Sequence, residues 1–158
     1  MLVKDAAAIA AKEFLNEYWD GSFPVDPVSI ARSLGIDVQI TSLLPGISGA
    51  IVSQEGSASI LIEEADTYGR QMFTCAHEIG HFQERKAQND LDYSFVERRT
   101  SKYDLHELYA DVFAANLLMP EDEFRAQWAR TGSEYLVAGF FGVSPSAALA
   151  RKERLKIG

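Results

Sequence analysis

Cysteine occurs once in these 158 residues, at Cys75, which excludes any internal disulfide. That scarcity fits a reducing compartment. Histidine is nearly as rare, with three copies at His77, His81 and His106. Basic residues are outnumbered, 15 against 23 acidic ones, for a formal net charge of −8. A body with that balance is a poor wrapper of DNA and a poor anchor to acidic lipid. No apolar run has the length needed to cross a bilayer. The opening MLVKDAAAIAAKEF carries a short alanine run flanked by Lys4-Asp5 and Lys12-Glu13, which is not the pattern of a secretion leader. The expectation is a cytoplasmic protein with no membrane partner and no direct nucleic-acid partner.

What is present is enough apolar material for a core. A hydrophobic fraction of 47% over this length supports one domain spanning 1–158 and is too little chain for two full-sized ones. Val3, Ala7, Ala10, Phe14 and Tyr18 recur at helical spacing, which predicts a helix over 3–19. A short helix follows over 27–34, stopped by Gly35. Three extended runs, 37–41, 49–53 and 59–63, are separated by turn signals at 44–46 and 54–56. They predict a small three-stranded antiparallel meander, and so an α+β domain that is mostly helical. From Thr67 the period becomes helical through about Lys86. Residues 88–103 are polar and aperiodic and read as a loop. A second strong helix is predicted over about 104–119, ended by Pro120. Shorter helices follow over 121–129, 133–141 and 145–155, the last expected to pack Ala147, Leu149 and Leu155 on the core.

The chemistry concentrates in CAHEIGHF, residues 75–82. Residues four apart on a helix share a face, so His77 and His81 aim their imidazoles at one point. Glu78 lies about 100° around the helix, placed to reach water rather than a metal held by the histidines. Two neutral nitrogen ligands, a third protein ligand and an open position are what a zinc hydrolase needs, with the neighbouring carboxylate as base. The competing reading is a pair of surface histidines. Ala76, Ile79, Gly80 and Phe82 oppose it, because they describe a buried helix. Cys75 sits about 200° around from His77 and reads as a core thiol.

Two histidines do not complete a coordination shell. Glu84 shares their face but lies about 10 Å along the axis from His77, with the histidines leaning away from it. The better candidate lies in HELYADVFAANLLMP. Glu107 and Asp111 are four apart on an otherwise apolar helix, where two carboxylates are costly unless something receives them. The economical arrangement makes Glu107 the third ligand of Zn²⁺, with Asp111 holding a ring N–H of His77 or His81. The alternative is two solvated acids at the helix rim. Gly80 lets the two helices approach closely, which accounts for a glycine inside a helix. Tyr103, His106 and Tyr109 are near enough in sequence to supply a transition-state donor, and no spacing rule selects among them.

At this point the chain resembles a known group. RQMFTCAHEIGHF at 70–82 followed by ELYADVFAANLLMP at 107–120 is similar to the ImmA/IrrE family of metallopeptidases, with weaker agreement over 46–63 and 141–155. The resemblance implies a zinc-dependent endopeptidase with a gluzincin-like site. His77, His81 and Glu107 become ligands and Glu78 the general base. It also implies a protein substrate, a helix-turn-helix repressor of a phage, mobile element or stress regulon, carried on a separate chain.

Two rival readings remain. A non-catalytic anti-repressor or binding module with a retained metal would have no use for Glu78. A DNA-binding regulator draws on VSIARSLGID at 28–37 and FFGVSPSAALARKERLKIG at 140–158, which echo helix-turn-helix patterns. The latter carries Arg151, Lys152, Arg154 and Lys156, a local basic cluster suited to phosphates or to an acidic face of a protein partner. It reads equally as a solvated terminal helix. Oligomeric state is not legible.

Overall fold

The computed structural model describes residues 1–99 and 103–158. Helix α1 (Val3–Tyr18) buries Ala7, Ala10, Ala11, Phe14 and Leu15 on one face. The alanines allow close approach to a later helix, against which Phe14 sets its ring edge-on to Phe113 at 5.2 Å. Helix α2 (Pro27–Ser33) starts where its signals sit: the Asp26 carboxylate accepts from the N–H groups of Val28 and Ser29, and Pro27 occupies the first turn.

Strands β1 (Asp37–Thr41), β2 (Ile47–Gln54) and β3 (Ser57–Glu63) follow. A tight turn at Glu55-Gly56, both with positive φ, joins β2 to β3 as an antiparallel hairpin. The predicted meander is wrong in two respects. β1 does not pair with β2; it lies parallel to β3, with Val38 opposite Ile60. The other edge of β2 is taken by a fourth strand, β4 (Tyr93–Arg98), so the sheet is mixed, in the order β1-β3-β2-β4. Alternation tells which face of a strand is buried and says nothing of which edge it pairs along. β3, with Ala58, Ile60 and Ile62 buried, is an inner strand with a partner on each side.

β4 lies in the segment expected to be a loop. Tyr93, Phe95 and Glu97 face inward while Ser94, Val96 and Arg98 are exposed. The period of two was present, but only one purely apolar side chain marks the inner face, and charged residues flank it. Residues 100–102 of that expected loop lie outside the described residues.

Helix α3 (Tyr68–Ala87), capped by Thr67, lies against the sheet and runs through the centre. Met72 and every residue from Thr74 to His81 are buried, so this helix is covered on all sides over two turns. Helix α4 (Leu105–Leu118) packs across it and on α1, with the Asp104 carboxylate capping it by accepting from the Glu107 N–H at 2.9 Å. Burial of Ile79, Phe113 and Leu117 here is worth roughly 1.5–3 kcal/mol each. Gly80 decides how close the helices come. A Cβ there would lie 2.9 Å from the Ala110 Cα, against backbone that cannot yield.

Helices α5 (Glu121–Thr131), α6 (Glu134–Phe141) and α7 (Pro145–Arg154) close the chain. Phe124 and Phe141 stack at 5.7 Å beneath them. On α7, Ala147 and Leu155 pack against the core as expected, but Leu149 is exposed, and Ala148 and Arg151 are the buried residues. One apolar cluster runs from Ala7 to Ala148 and includes Cys75. No helix among the described residues is long and apolar enough to cross a membrane.

Candidate metal centre

Three elements meet at the HEIGH turn of α3. His77 and His81, one turn apart, bring their rings to 4.8 Å between centroids. α4 approaches from one side with Glu107 and Asp111, and β4 crosses with Phe95 and Glu97. The His81 ring lies flat on Phe95, 4.0 Å between centroids and 3° from parallel. That stacking sets its plane.

The Nε2 atoms of both histidines face the same carboxylate. His77 Nε2 is 2.9 Å from Glu107 Oε2, and His81 Nε2 is 3.1 Å from Glu107 Oε1. On its other nitrogen, His77 Nδ1 donates to Asp111 Oδ1 at 2.7 Å. Asp111 therefore holds the ring so that Nε2 points into the cluster. The second oxygen of Asp111 accepts from the Tyr103 hydroxyl at 2.9 Å.

Glu97 was not anticipated. Its Oε2 stands 2.8 Å from His77 Nε2, and His77, Glu78, His81 and Glu97 each bring a donor atom within 4.8 Å of the others. The signal that finds it is the alternation Tyr93, Phe95, Glu97, which puts the glutamate on the inner face of β4. Glu107 touches both imidazoles and Glu97 touches one, so Glu107 is the better bridge. Glu84 stays apart and pairs with His106 Nδ1 at 2.8 Å. Tyr109 is buried beside Glu84 and Glu13, where burial first and then those charges push its phenol up to about 12. Of the three candidate donors, Tyr103 is the one joined to the cluster.

The charges do not balance within the protein. Glu78, Glu97, Glu107 and Asp111 are four carboxyl groups around two imidazoles, more acid groups than the two rings can offset. Burial alone would lower the basicity of His77, but hydrogen bonds to Asp111, Glu107 and Glu97 hold its pKa well above the usual histidine range. Glu107 is opposed by burial, yet the two histidines hold its carboxyl well below the usual carboxylate range. Glu78 is fully buried, and burial pushes its carboxyl up to about 8. Both Glu78 oxygens, and His81 Nε2, have no hydrogen-bond partner among the described residues. The Glu107–His81 approach thus has the distance of a contact without hydrogen-bond direction. An unpartnered buried imidazole nitrogen and two unpartnered carboxylate oxygens, beside a second imidazole that carboxylates crowd at Nε2, are what a divalent cation takes. The residues fit a metal ion.

The Peptidase_M78 profile, the IrrE N-terminal-like domain, matches residues 31–153. The chain belongs to that family. The resemblance read from the sequence names the same family, and the match reaches back to α2. In this Peptidase_M78 domain the matched stretch takes in the whole sheet, both helices of the cluster and nearly all of α7. No curated protein matches the chain.

Proposed function

We propose that this Peptidase_M78 domain is a zinc-dependent endopeptidase that cuts a protein partner. The observation that carries the reading is the meeting of His77 Nε2 and His81 Nε2 on the two oxygens of Glu107, with Glu78 buried alongside and unpartnered. His77, His81 and Glu107 hold the ion. Zinc in this site supplies Lewis acidity toward water and a substrate carbonyl.

The chain's own residues do the rest. Asp111 fixes the His77 tautomer and keeps Nε2 facing inward. Phe95 fixes the plane of His81. Glu78 takes the proton of the attacking water and returns it to the leaving amine. Tyr103, tied to Asp111, steadies that carboxylate from the solvent side. The partner is a helix-turn-helix repressor on a separate chain; the sequence resemblance supports this assignment, and the protein acts in the cytoplasm.

The decisive experiment incubates the zinc-loaded protein with a purified helix-turn-helix repressor as candidate substrate, with and without chelator. Chelator-sensitive fragments are the expected outcome. A stoichiometric complex with no fragments would instead make the protein a non-catalytic anti-repressor.

A further inference from the structure

The basic cluster that the sequence singles out near the C-terminus does not form one patch. Lys152 lays its ammonium over the Trp128 ring at 4.7 Å. Arg151 and Arg154 instead turn toward a cavity of about 330 Å³ between α3, α4 and α7, and Arg70 from the first turn of α3 lines it opposite them. The floor is apolar, from Phe73, Ala115 and Met119, and the Ser144 side of the α7 N-terminus closes one end. Asp111 lines the same cavity. The carboxylate that orients His77 is thus the wall between this cavity and the cluster.

Three guanidinium groups and one carboxylate give the cavity an excess of positive charge on a protein whose net charge is −8. Arg151 is buried, yet its partners are neutral oxygens: Nε donates to the Met119 carbonyl and Nη2 to Asn116 Oδ1, each at 3.1 Å. Its guanidinium is held in place by neutral oxygens, with Glu121 the one carboxylate acting on it at longer range and Arg154 and Arg125 opposing that. Arg70 is bonded to a neutral hydroxyl, Ser48 Oγ, at 3.3 Å. A cationic rim over an apolar floor suits an anion on a short aliphatic stem, and a guanidinium fork suits a carboxylate.

We infer that this cavity is a specificity pocket that takes an acidic side chain, glutamate or aspartate, of the protein substrate close to the bond being cut. The inference rests on the peptidase reading for its purpose, but the pocket is testable by binding alone. The aliphatic stem of the acid lies against Phe73 and Met119 while its carboxylate meets Arg70 and Arg154. Arg151 supplies charge from behind.

The test uses peptide pools that are random except for one central position, occupied by Glu, Asp, Gln or Lys. Binding to the zinc-loaded Glu78→Gln protein is read by fluorescence polarisation, and cleavage by the unmodified protein is read by mass spectrometry. The Glu and Asp pools are expected to bind about tenfold or more tighter than the Gln and Lys pools. Replacing Arg70→Gln together with Arg154→Gln collapses that preference to within about twofold, since these two exposed groups supply the charge-assisted bonds. Lys152→Gln removes one positive charge from α7 outside the cavity and keeps the preference. Equal binding of Glu and Gln pools overturns the pocket whatever the cleavage result. Acid-selective binding with no cleavage of any pool keeps the pocket and overturns the peptidase reading. Inorganic phosphate provides the last arm. If it binds in an Arg70- and Arg154-dependent way while the pools stay undiscriminated, the cavity is a small-anion site and the substrate assignment falls.

Discussion

His77 and Asp111 are bonded across the α3–α4 interface, Nδ1 to Oδ1 at 2.7 Å, although 34 positions separate them in the chain. That bond turns a histidine on a buried helix into a directed donor. Asp111→Asn keeps the shape but lets the amide donate in place of accepting. Zinc affinity, measured by competition with a chromophoric chelator, should fall roughly 10–100-fold. An unchanged affinity would show that Asp111 orients nothing.

Glu107, Glu97 and Glu84 can be ranked by metal content. Glu107→Ala should lose zinc on dialysis, because it removes the carboxylate that meets both histidines. Glu97→Ala should reduce affinity less, since Glu97 approaches His77 alone. Glu84→Ala should leave the content at one ion per chain, as Glu84 is paired with His106. If Glu97→Ala empties the site and Glu107→Ala does not, the third ligand comes from β4.

Glu78→Gln removes the base while preserving volume. Zinc content should be retained and cleavage of the repressor should fall by about 10²–10⁴-fold or more. Retained cleavage, read as fragment yield per unit time, would remove Glu78 from the chemistry.

The helix crossing offers a test of packing alone. Gly80→Ala drives a methyl into the Ala110 backbone and should destabilise by about 1–3 kcal/mol. Gly139→Ala, in α6 with open space around it, should instead be neutral or stabilise by up to about 1 kcal/mol. Thermal unfolding of both variants in chelator separates this from any loss of metal.

Proton linkage predicts opposite pH trends with and without zinc. In the metal-free protein, Glu78 and His77 both have folded pKa values above their unfolded ones. The folded state therefore holds protons that the unfolded chain releases, and stability falls as pH rises from about 6 to 8. Glu107 is shifted the other way, so its contribution is lost only on acidification and is constant across this window. Zinc needs His77 without its proton at Nε2, so binding expels protons and tightens with rising pH. Melting curves at pH 6, 7 and 8 should show the chelated protein losing stability and the zinc-loaded protein not losing it. Titration calorimetry near pH 7 in buffers of different ionisation enthalpy should show proton release; none at all would mean that His77 is already neutral.

The helices were legible because each buried face repeats its own residues. The stripe of α1 recurs every three or four positions, α3 and α4 are long apolar-rich runs buried nearly all round, and the side chains of Asp26, Thr67 and Asp104 cap their helices. The core of the centre was legible for the same reason. His77, Glu78 and His81 lie within one turn, and Glu107 and Asp111 within another, so local helical geometry orders each set.

The sequence by itself determined the α+β class, the helical frame and the family. It also supplied the expectation that two helix faces carry one cluster. Only the tertiary structure decided which strand edges pair, because an isolated strand can bond along either edge and its side chains record only its faces. That choice placed β4 beside α3, brought Phe95 onto His81, and set Glu97 2.8 Å from His77. It likewise decided that Asp111 holds His77 through Nδ1, and that Arg151 is buried while Arg154 lines a cavity. Contacts between residues far apart in the chain depend on how whole elements dock, and no local period encodes that.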